Sequence, residues 1–329
     1  MTFKSLLIAA LATTGIVLTL YLSSQQSPLK LSLSGYLAYA RKYKKLIGSP
    51  QELEYRARIF DENMIFADKV NNSQSSFTAG ENRFADLSFS EFSESYLSKN
   101  PIPHTPSKIT KGLKLQGSKD WRAEKKIGPV KNQKDCPSSW AFSAISALEA
   151  AYAIKSEQLL ELSEQELIDC SYSYDNNGCQ GGLIDNAFNY IIDNKINLSV
   201  DYPFANREQR CKIKRKKPRY SMTEKVSINP VDVSGLMKLV DQQPVAVAME
   251  IQRDFQFYTG GVYQNSNCGD SLNFALTVVG YLSDKNNQYF ILRSCWGALW
   301  GESGYARMQI GEGSGTCGIA NDLDYAPKI

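Results

Sequence analysis

Apolar and polar residues alternate differently in two parts of the chain. Residues 33–71 are rich in charge and carry apolar residues at helical spacing. These apolar positions are Tyr55, Ile59, Phe60 and Met64. The later run SWAFSAISALEAAYAIK holds only Glu149 before Lys155 and is apolar on nearly every side, which predicts a buried helix.

Beyond residue 220, short runs rich in β-forming residues are bounded by turn residues. These runs are PVAVAME, LTVVGYL, QYFILRS and GYARMQI. Upstream of them, the capping box Ser163-x-x-Glu166 predicts the start of another helix. Helices first and strands later predict an α+β arrangement, in two halves around a cleft.

A stretch rich in Pro, Lys, Ser and Gly predicts a linker over residues 98–117. Before it, FTAGENRFADLSFSEF has turn signals at Gly80 and Asn82 and predicts a short helix that starts near Ser88. The chain therefore divides into residues 27–97, the linker, and residues 118–329.

The N-terminus has the pattern of a targeting segment. Lys4 precedes an uncharged apolar run from Ser5 to Leu22, like the charged and apolar regions of a signal peptide. A cleaved signal peptide over residues 1–26 is the favoured interpretation, and an uncleaved signal anchor is the alternative. Either one sends the chain into the secretory pathway, and a membrane is a partner only if the segment stays uncleaved.

The charge of the chain gives no overall case for nucleic-acid binding, because the net charge is only +3 over 329 residues. The basic cluster KIKRKKPR, residues 212–219, is interpreted as a solvated loop, with an anionic partner as the alternative. Asn71 and Asn197 begin N-glycosylation sequons, a short pattern that occurs often by chance.

Seven cysteines lie between residues 136 and 317. An odd number in an oxidising compartment predicts disulfides plus one free thiol. There is no C-x-x-C spacing, and His104 is the only histidine, so the sequence predicts no metal site and no cofactor.

Eight motifs resemble the papain-family (cathepsin L-like) cysteine proteases, and they follow that family's order over residues 118–329. They are GPVKNQ, CPSSWAFSAISALE, LSEQELIDC, NNGCQGG, YPFANREQRC, LNFALTVVGY, CWGALWGESGYARM and TCGIA. Upstream, two groups of residues match the family's inhibitory propeptide. They are Glu52, Arg56, Phe60, Asn63 and Asn71, then Gly80, Asn82, Phe84 and Asp86. Ala67 departs from this pattern, because the family usually has isoleucine there.

The resemblance implies a papain-like fold with a helical left lobe, a β-barrel-like right lobe and a substrate cleft between them. It also implies a helical propeptide domain over residues 27–97. The disulfides that it implies are Cys136–Cys179, Cys170–Cys211 and Cys268–Cys317. Cys295 is left over, and it is not at the nucleophile position.

The family's chemistry uses a cysteine thiolate, a histidine, an asparagine that orients the histidine, and a glutamine that stabilises the oxyanion. Gln133 matches the glutamine. The other three positions are occupied by Ser139 for the cysteine, Phe274 for the histidine and Ser294 for the asparagine.

These replacements predict a catalytically inactive protein. A serine hydroxyl attacks only when a base removes its proton, and phenylalanine accepts no proton. His104 is interpreted as a solvent-exposed linker residue. Disabling a comparable triad costs on the order of a millionfold in turnover.

Two rescue hypotheses remain open. Ser139 could pair with Lys131 or Lys134, although both are interpreted as solvated loop residues and a useful base needs a lowered pKa. Alternatively, Cys295 could be a relocated nucleophile beside Arg293, against its interpretation as a small buried residue.

Other parts of the cleft are retained. Gly181 and Gly182 match the family's segment that pairs with an extended peptide. Trp296 and Trp300 match its paired tryptophans, with plain core aromatics as an equal alternative. Asp322 falls at the residue that closes the S2 pocket, which predicts an acidic pocket floor that favours a basic side chain, unless Asp322 is a surface turn residue. Pro137 replaces a family glycine and predicts a crowded S1 region.

Three functions follow from these residues. The favoured one is a non-catalytic protein that binds a peptide or protein in the cleft. The alternatives are an active endopeptidase with unorthodox residues and an inhibitor of a related protease through the propeptide domain. The propeptide itself is an expected partner, and the expected location is the secretory pathway, either secreted or in a lysosomal or vacuolar lumen.

Overall fold

The computed structural model describes residues 27–74, 76–99, 102, 104, 117–213, 217–229 and 231–329, with side chains from residue 33 onward. The expected targeting segment and most of the expected linker therefore lie outside the described residues, as does the middle of the basic cluster. No helix in the described ranges is long and apolar enough to cross a membrane.

The described residues divide into two compact units. The first contains residues up to Phe66 together with Ala85–Leu87, and the second contains Ala67–Phe84 and Ser88–Ile329. The division falls within a helix, because the chain leaves the first unit at Phe66 and returns to it briefly at Ala85.

The first unit is built from α1 (Ser27–Lys42) and α2 (Pro50–Ser73), the latter running on into the second unit. The charged pattern over residues 33–71 predicts helix throughout, but the structure breaks at residues 43–49. Pro50 explains the break, since proline is tolerated in the first turn of a helix and disfavours helical backbone before it. Of the apolar positions, Ile59 and Phe60 are buried, whereas Tyr55 is 37% exposed.

The core of the first unit is a small cluster around Tyr36, Tyr39 and Phe60. The Asp86 carboxylate lies at its edge and accepts hydrogen bonds from the Tyr39 hydroxyl at 2.9 Å and the Lys45 ammonium at 2.6 Å. Asp86 belongs to the second propeptide motif. Its carboxylate connects the loop that contains Asp86 to α1 and to Lys45, which follows α1.

The second unit begins with elements upstream of the expected linker. They are β1 (Phe77–Ala79) and α3 (Phe89–Tyr96). Helix α3 starts with a complete capping box, in which the Ser88 hydroxyl accepts from the Glu91 N–H and the Glu91 carboxylate accepts from the Ser88 N–H. This confirms the helix start predicted near Ser88.

The remaining helices and strands of the second unit follow in two groups. The helices are α4 (Ser139–Ser156), α5 (Glu164–Cys170), α6 (Ile184–Asn194), α7 (Val233–Val240) and α8 (Arg253–Gln256). The strands are β2 (Gly117–Asp120), β3 (Ile196–Asn197), β4 (Arg219–Tyr220), β5 (Glu224–Ser227), β6 (Val245–Met249), β7 (Tyr258–Tyr263), β8 (Phe274–Ser283), β9 (Gln288–Arg293), β10 (Tyr305–Gln309) and β11 (Tyr325–Lys328). The mixed α+β content predicted by the hydrophobic pattern is confirmed.

The main sheet runs in the order β1-β7-β10-β9-β8-β6-β11-β5, with β2 added to β8. Only the β10–β7 pair is parallel. Strand β8 is buried along almost its whole length, which explains its continuous apolar sequence. At Gly280 any side chain would meet the Lys119 carbonyl, so glycine is needed where β2 crosses.

Helix α4 is the buried helix that the sequence predicts. Nearly all of its residues from Ser139 to Ala153 are buried, and it packs against β8 and α6. A helix apolar on every side loses no hydrogen bonds to water when it is buried, because its backbone bonds are internal. Its N-terminus lies where the helical lobe and the sheet meet.

The disulfides match those implied by the resemblance: Cys136–Cys179, Cys170–Cys211 and Cys268–Cys317. Each closes a loop of more than 40 residues, which stabilises the fold by roughly 2–4 kcal/mol. Cys295 remains a free, buried thiol.

Candidate active site

Ser139 lies at the first turn of α4, directly after Pro137 and Ser138. The position is 5% exposed, and its hydroxyl oxygen accepts a hydrogen bond from the Ala275 N–H at 3.1 Å. This bond places Ser139 beside the start of β8. A nucleophile at a helix N-terminus gains from the helix dipole only when it is an anion, and a serine hydroxyl is neutral near pH 7.

Phe274 is fully buried at the first position of β8. Its ring centroid lies 4.4 Å from that of Trp296, at an interplanar angle of 35°. The next residue, Ala275, bonds Ser139, so an apolar ring occupies the neighbourhood in which a base would have to lie. No proton acceptor is available on this side chain.

Ser294 is buried at the end of β9, and its backbone N–H bonds the Gly304 carbonyl. Its hydroxyl has no hydrogen-bond partner among the described residues. It borders a cavity of about 10 Å³ that Ser143, Thr277 and Cys295 also line. That volume is near the lower limit for one water molecule, which would satisfy the hydroxyl.

Hydrogen bonds hold the side chain of Gln133 in the site. Its side-chain N–H donates to the Tyr96 carbonyl at 2.9 Å, and its side-chain oxygen accepts from the Cys295 thiol at 3.1 Å. Its backbone N–H also donates to the Cys295 carbonyl. The amide is therefore fixed in orientation, and one of its two N–H groups is already bonded to the upstream segment.

The structure contradicts the interpretation of Lys131 as a solvated loop residue. Its ammonium lies 2.6 Å from both the Glu149 and the Glu164 carboxylates. Although burial opposes the charge, these two carboxylates hold the Lys131 pKa above its ordinary value. A general base needs the opposite shift. Lys134, by contrast, is exposed, as the sequence predicts.

Cys295 is 6% exposed and donates its S–H to Gln133. Burial raises the pKa of this thiol far above its usual range, because the thiolate would be desolvated. A reactive cysteine needs a lowered pKa and access to solvent. The surroundings of Cys295 are those of a structural residue.

The upstream chain runs through the cleft. After Tyr96, the Ser98 N–H donates to the Asn273 carbonyl at 2.8 Å, and the Ile102 N–H donates to the Leu272 carbonyl at 2.8 Å. A side chain at Gly181 would meet the Ser98 hydroxyl at 2.9 Å, and the Gly181 φ is +128°. Gly181 thus needs to be glycine for the segment to pass this close.

His104 is less exposed than its interpretation as a solvent-exposed linker residue implies. It is half-buried, its Nδ1 lies 3.3 Å from the Ile102 carbonyl, and its Nε2 lies 3.5 Å from the Asp270 carboxylate. His104 lies at the far end of the segment that runs through the cleft. The only histidine of the sequence therefore takes part in the contacts of this upstream segment.

Ile102 borders a small apolar pocket in the cleft. The other residues that line this pocket are Trp140, Gly182, Leu183, Ile184, Ala248, Ala275 and Leu323. At Gly182 a side chain would collide with the Trp140 ring and the Asn176 side chain. The residues that line the pocket are all apolar among the described ones.

Leu323, and not Asp322, lines this pocket among the described residues, so the acidic floor predicted from the sequence is not seen there. A turn explains the difference. The Asn321 side-chain oxygen accepts from the Leu323 N–H, and the Asp324 carboxylate accepts from the Asn321 N–H. This turn directs Leu323 inward and leaves Asp322 half-buried at its outer corner.

An aromatic cluster joins the upstream chain to the site. The ring of Trp296 meets those of Phe84 and Phe92 edge-on, with centroids 5.6 and 5.3 Å apart, and also that of Trp300 at 4.7 Å. Sequence reasoning finds Phe84 and the two tryptophans but misses Phe92. The aromatic spacing of Phe89, Phe92 and Tyr96 on one short helix is the signal that would have found it.

Comparison with known families decides the classification. Residues 115–327 match the papain family cysteine protease profile, and residues 36–92 match the cathepsin propeptide inhibitor domain (I29). The chain belongs to the papain family of cysteine proteases. The matches include both the expected peptidase domain and the expected propeptide domain.

Curated papain-family relatives resemble most of the chain. Oryzain beta chain of Oryza sativa subsp. japonica is 39% identical over 298 residues, which is 85% of this chain and 64% of the relative. Probable cysteine protease RD21C of Arabidopsis thaliana is 41% identical over 290 residues, or 84% of this chain and 64% of the relative. The chain thus spans less than two thirds of these relatives.

Solved structures of papain-family proforms resemble the fold. Digestive procathepsin L 3 of Tenebrio molitor larval midgut has a TM-score of 0.79 and 34% identity, covering 92% of this chain and all of that one. Because that structure is a proform, its likeness extends over the upstream segment as well as the peptidase domain.

The structure brings together Gln133, Ser139, Phe274 and Ser294, the four family positions that the resemblance implies. Hydrogen bonds link Gln133 to Cys295, the neighbour of Ser294, and Ser139 to Ala275, the neighbour of Phe274.

Proposed function

We propose that this papain-family protein is catalytically inactive and acts by binding a peptide or protein. The observation that carries the proposal is the buried Phe274 ring, which packs against Trp296 and lies beside the residue that bonds Ser139. The only histidine of the chain, His104, lies in the upstream segment near Asp270. Without an adjacent base, Ser139 has no route to an alkoxide.

The two rescue hypotheses lose support from the surroundings of their residues. Lys131 is held as a cation by two glutamates, and the Cys295 thiol is buried and neutral. These observations argue against the alternative of an active endopeptidase with a substituted base or nucleophile.

The cleft keeps the features that bind an extended chain. Main-chain carbonyls of Leu272 and Asn273 accept hydrogen bonds, and Ile102 packs in an apolar cluster with Ala248 and Leu272. Ser98 and Ile102 of the upstream segment make these contacts, so a partner that uses the same carbonyls and apolar cluster has to displace Ser98 and Ile102. The alternative of inhibition of a related protease requires the same segment to leave its own cleft.

The proposed location is the secretory pathway. Three disulfides support it, since such bonds persist in oxidising compartments. The apolar run after Lys4 supports it from the sequence.

A peptidase assay on the full chain tests the proposal, before and after an added protease has cut within residues 105–116. We expect no turnover of peptide substrates and no labelling by an epoxide that alkylates active-site thiols. The matched control is the triple variant Ser139→Cys, Phe274→His, Ser294→Asn, with Pro137→Gly added where needed. We expect epoxide labelling at position 139 in this control.

Two results would contradict inactivity. One is turnover by the natural chain that Ser139→Ala abolishes. The other is labelling of Cys295 in the folded protein, which Cys295→Ser removes.

A further inference from the structure

Asp324 is a fully buried carboxyl group in the turn that brings Leu323 into the cleft. Its two side-chain oxygens accept hydrogen bonds from backbone N–H groups, that of Asn321 at 2.9 Å and that of Ala248 at 3.4 Å. It makes no ion pair among the described residues. The catalytic positions that the family resemblance implies do not include Asp324, so its burial needs another explanation.

The side chains of Asn321 and Asp324 complete the edge of β6 next to the cleft. Strand β6 pairs with β8 along its whole length, and on its other side it meets β11 at the pair Ala246–Tyr325. Two residues further on, the Ala248 carbonyl accepts from the Asn321 side-chain amide at 2.8 Å, and the Ala248 N–H donates to Asp324. Side chains of the turn thus take the place of a neighbouring strand at Ala248.

These bonds hold two walls of the pocket that Ile102 borders. Ala248 and Leu323 both line that pocket. Ala248 also packs with Ile102 and Leu272 in one apolar cluster, and Leu323 packs against that cluster. Asp324 is therefore connected to the pocket in two ways, by its hydrogen bond to Ala248 and by the peptide bond to Leu323.

The surroundings of Asp324 favour the neutral acid. Burial raises the pKa of this carboxyl well above its ordinary value, and its bonds to backbone N–H groups oppose the shift only in part. Asp322, on the same turn, adds a second negative charge. Ala248 of β6 and Ile228, which follows β5, contact Asp324 from other strands and supply no cation. An ionised Asp324 is a buried, unpaired charge, which is costly.

We propose that Asp324 is a positioning residue for the cleft, and that its proton controls how firmly the cleft holds the upstream segment. While it is neutral, Asp324 keeps Ala248 and Leu323 in place beside Ile102. When it loses its proton, the turn opens toward water and the pocket loosens. The inference rests on contacts of the chain's own segment, so it stands whether or not the domain is catalytic and whether or not a partner binds.

The sign of the pH dependence follows from the raised pKa of Asp324. The stabilisation of the pocket is complete below the pKa of aspartate in an unfolded chain, about 3.9, and is lost as the pH rises through the folded value. The segment should therefore be held more firmly in acid than near neutral pH.

Hydrogen exchange of the full chain, read by mass spectrometry, measures the opening of the segment. A peptide of residues 97–104 reports it, because the Ser98 and Ile102 N–H groups donate to the Asn273 and Leu272 carbonyls. Protection is compared at about pH 5 and about pH 8, after correction for the intrinsic effect of pH on exchange. We expect protection of this peptide to fall between the two, while that of β10 (Tyr305–Gln309) stays within about twofold.

Asp324→Asn separates ionisation from a merely structural contact. It keeps one acceptor oxygen and cannot ionise, so the fall in protection should be at least about tenfold smaller than in the natural chain. Any contribution from His104, the only histidine, is common to both proteins. The matched control Glu312→Gln changes an exposed carboxylate and should keep the natural profile. Asp324→Ser, also neutral and smaller, replaces Asp324→Asn if circular dichroism shows that the latter does not fold.

Three results would overturn the proposal. One is a natural chain whose protection does not change between the two pH values. Another is an equal fall in the natural chain and in the neutral variant, which would make Asp324 a structural contact only. The third is an equal loss of protection in β10, because the opening would then be global and not a property of the cleft.

Discussion

The side-chain amide of Gln133 donates a hydrogen bond to the main-chain carbonyl of Tyr96, at 2.9 Å. One of the two N–H groups of this amide is thus bonded to the chain's own upstream helix. The side-chain oxygen of Gln133 accepts from the Cys295 thiol, so one side chain connects the upstream helix, the loop before α4 and the end of β9.

Replacing Gln133 should therefore cost stability. In Gln133→Leu, the Tyr96 carbonyl loses the hydrogen bond from Gln133 and the buried Cys295 thiol loses the bond to the Gln133 oxygen, so the unfolding free energy should fall by about 1–3 kcal/mol. Urea unfolding measures the change. The exposed loop variant Lys285→Ala serves as the control and should shift it by less than about 0.5 kcal/mol. A Gln133→Leu protein as stable as the control would show that the bonds are weak.

Phe274 should be essential to the aromatic cluster. Phe274→Ala removes a fully buried ring that packs against Trp296 and should lower the unfolding free energy by about 3–5 kcal/mol. Phe274→Leu keeps most of the volume and should lose clearly less. Chemical denaturation of both variants measures the difference, and equal losses would argue against ring packing as the main contribution.

The Cys295 thiol should make stability depend on alkaline pH. Burial raises its folded pKa above the value of about 8.5 in an unfolded chain. Stability from the neutral thiol is complete below about pH 8.5 and is lost as the pH rises toward the folded pKa. Cys295→Ser lacks this titration, so its urea midpoint should fall less than that of the natural chain between about pH 7 and pH 10. Parallel curves for the two proteins would refute the assignment.

Neither sequon should carry a glycan in the folded protein. Asn71 exchanges two hydrogen bonds with the Ala79 backbone at 2.8 Å, and Asn197 is fully buried. Mass spectrometry of secreted protein, before and after N-glycosidase treatment, should show no change. The control Gln288→Thr creates a sequon at exposed Asn286 and should gain a glycan. A glycan on Asn71 or Asn197 would contradict these contacts.

The upstream residues should stay attached to the purified chain. An inactive domain does not cut its own linker, so N-terminal sequencing of protein prepared without added protease should find a start before residue 117. A start near Gly117 under these conditions would indicate self-cleavage and count against inactivity.

Much of the architecture follows from local sequence. The helix over Ser139–Ser156 is predictable because it is apolar all round, and β6, β8, β9 and β10 are predictable because β-forming runs end at turn residues. The helix start at Ser163 is also confirmed by the bond from Glu166 N–H. The reciprocal half of that box is absent, because the Glu166 carboxylate binds Arg219 and Asn197 instead.

Side-chain positions that depend on contacts between residues far apart in the sequence could not be predicted. The family resemblance predicts Asp322 at the floor of the pocket. The turn at Asn321 presents Leu323 there instead. Lys131 looks like a loop residue until Glu149 and Glu164 are brought to it from two helices. Likewise, nothing near Tyr55 in the sequence shows that its helical face remains uncovered.

All six bridged cysteines lie after residue 117, whereas β1, Phe84 and Phe92 lie before the stretch 105–116. The strand pair β1–β7, the Gln133–Tyr96 bond and the aromatic cluster join the two sides without a covalent cross-link. The chain therefore resembles two complementing fragments that are joined in one polypeptide. A cut in 105–116 would leave two fragments that each lack part of a shared sheet and a shared core, and reassembly would depend on their concentration.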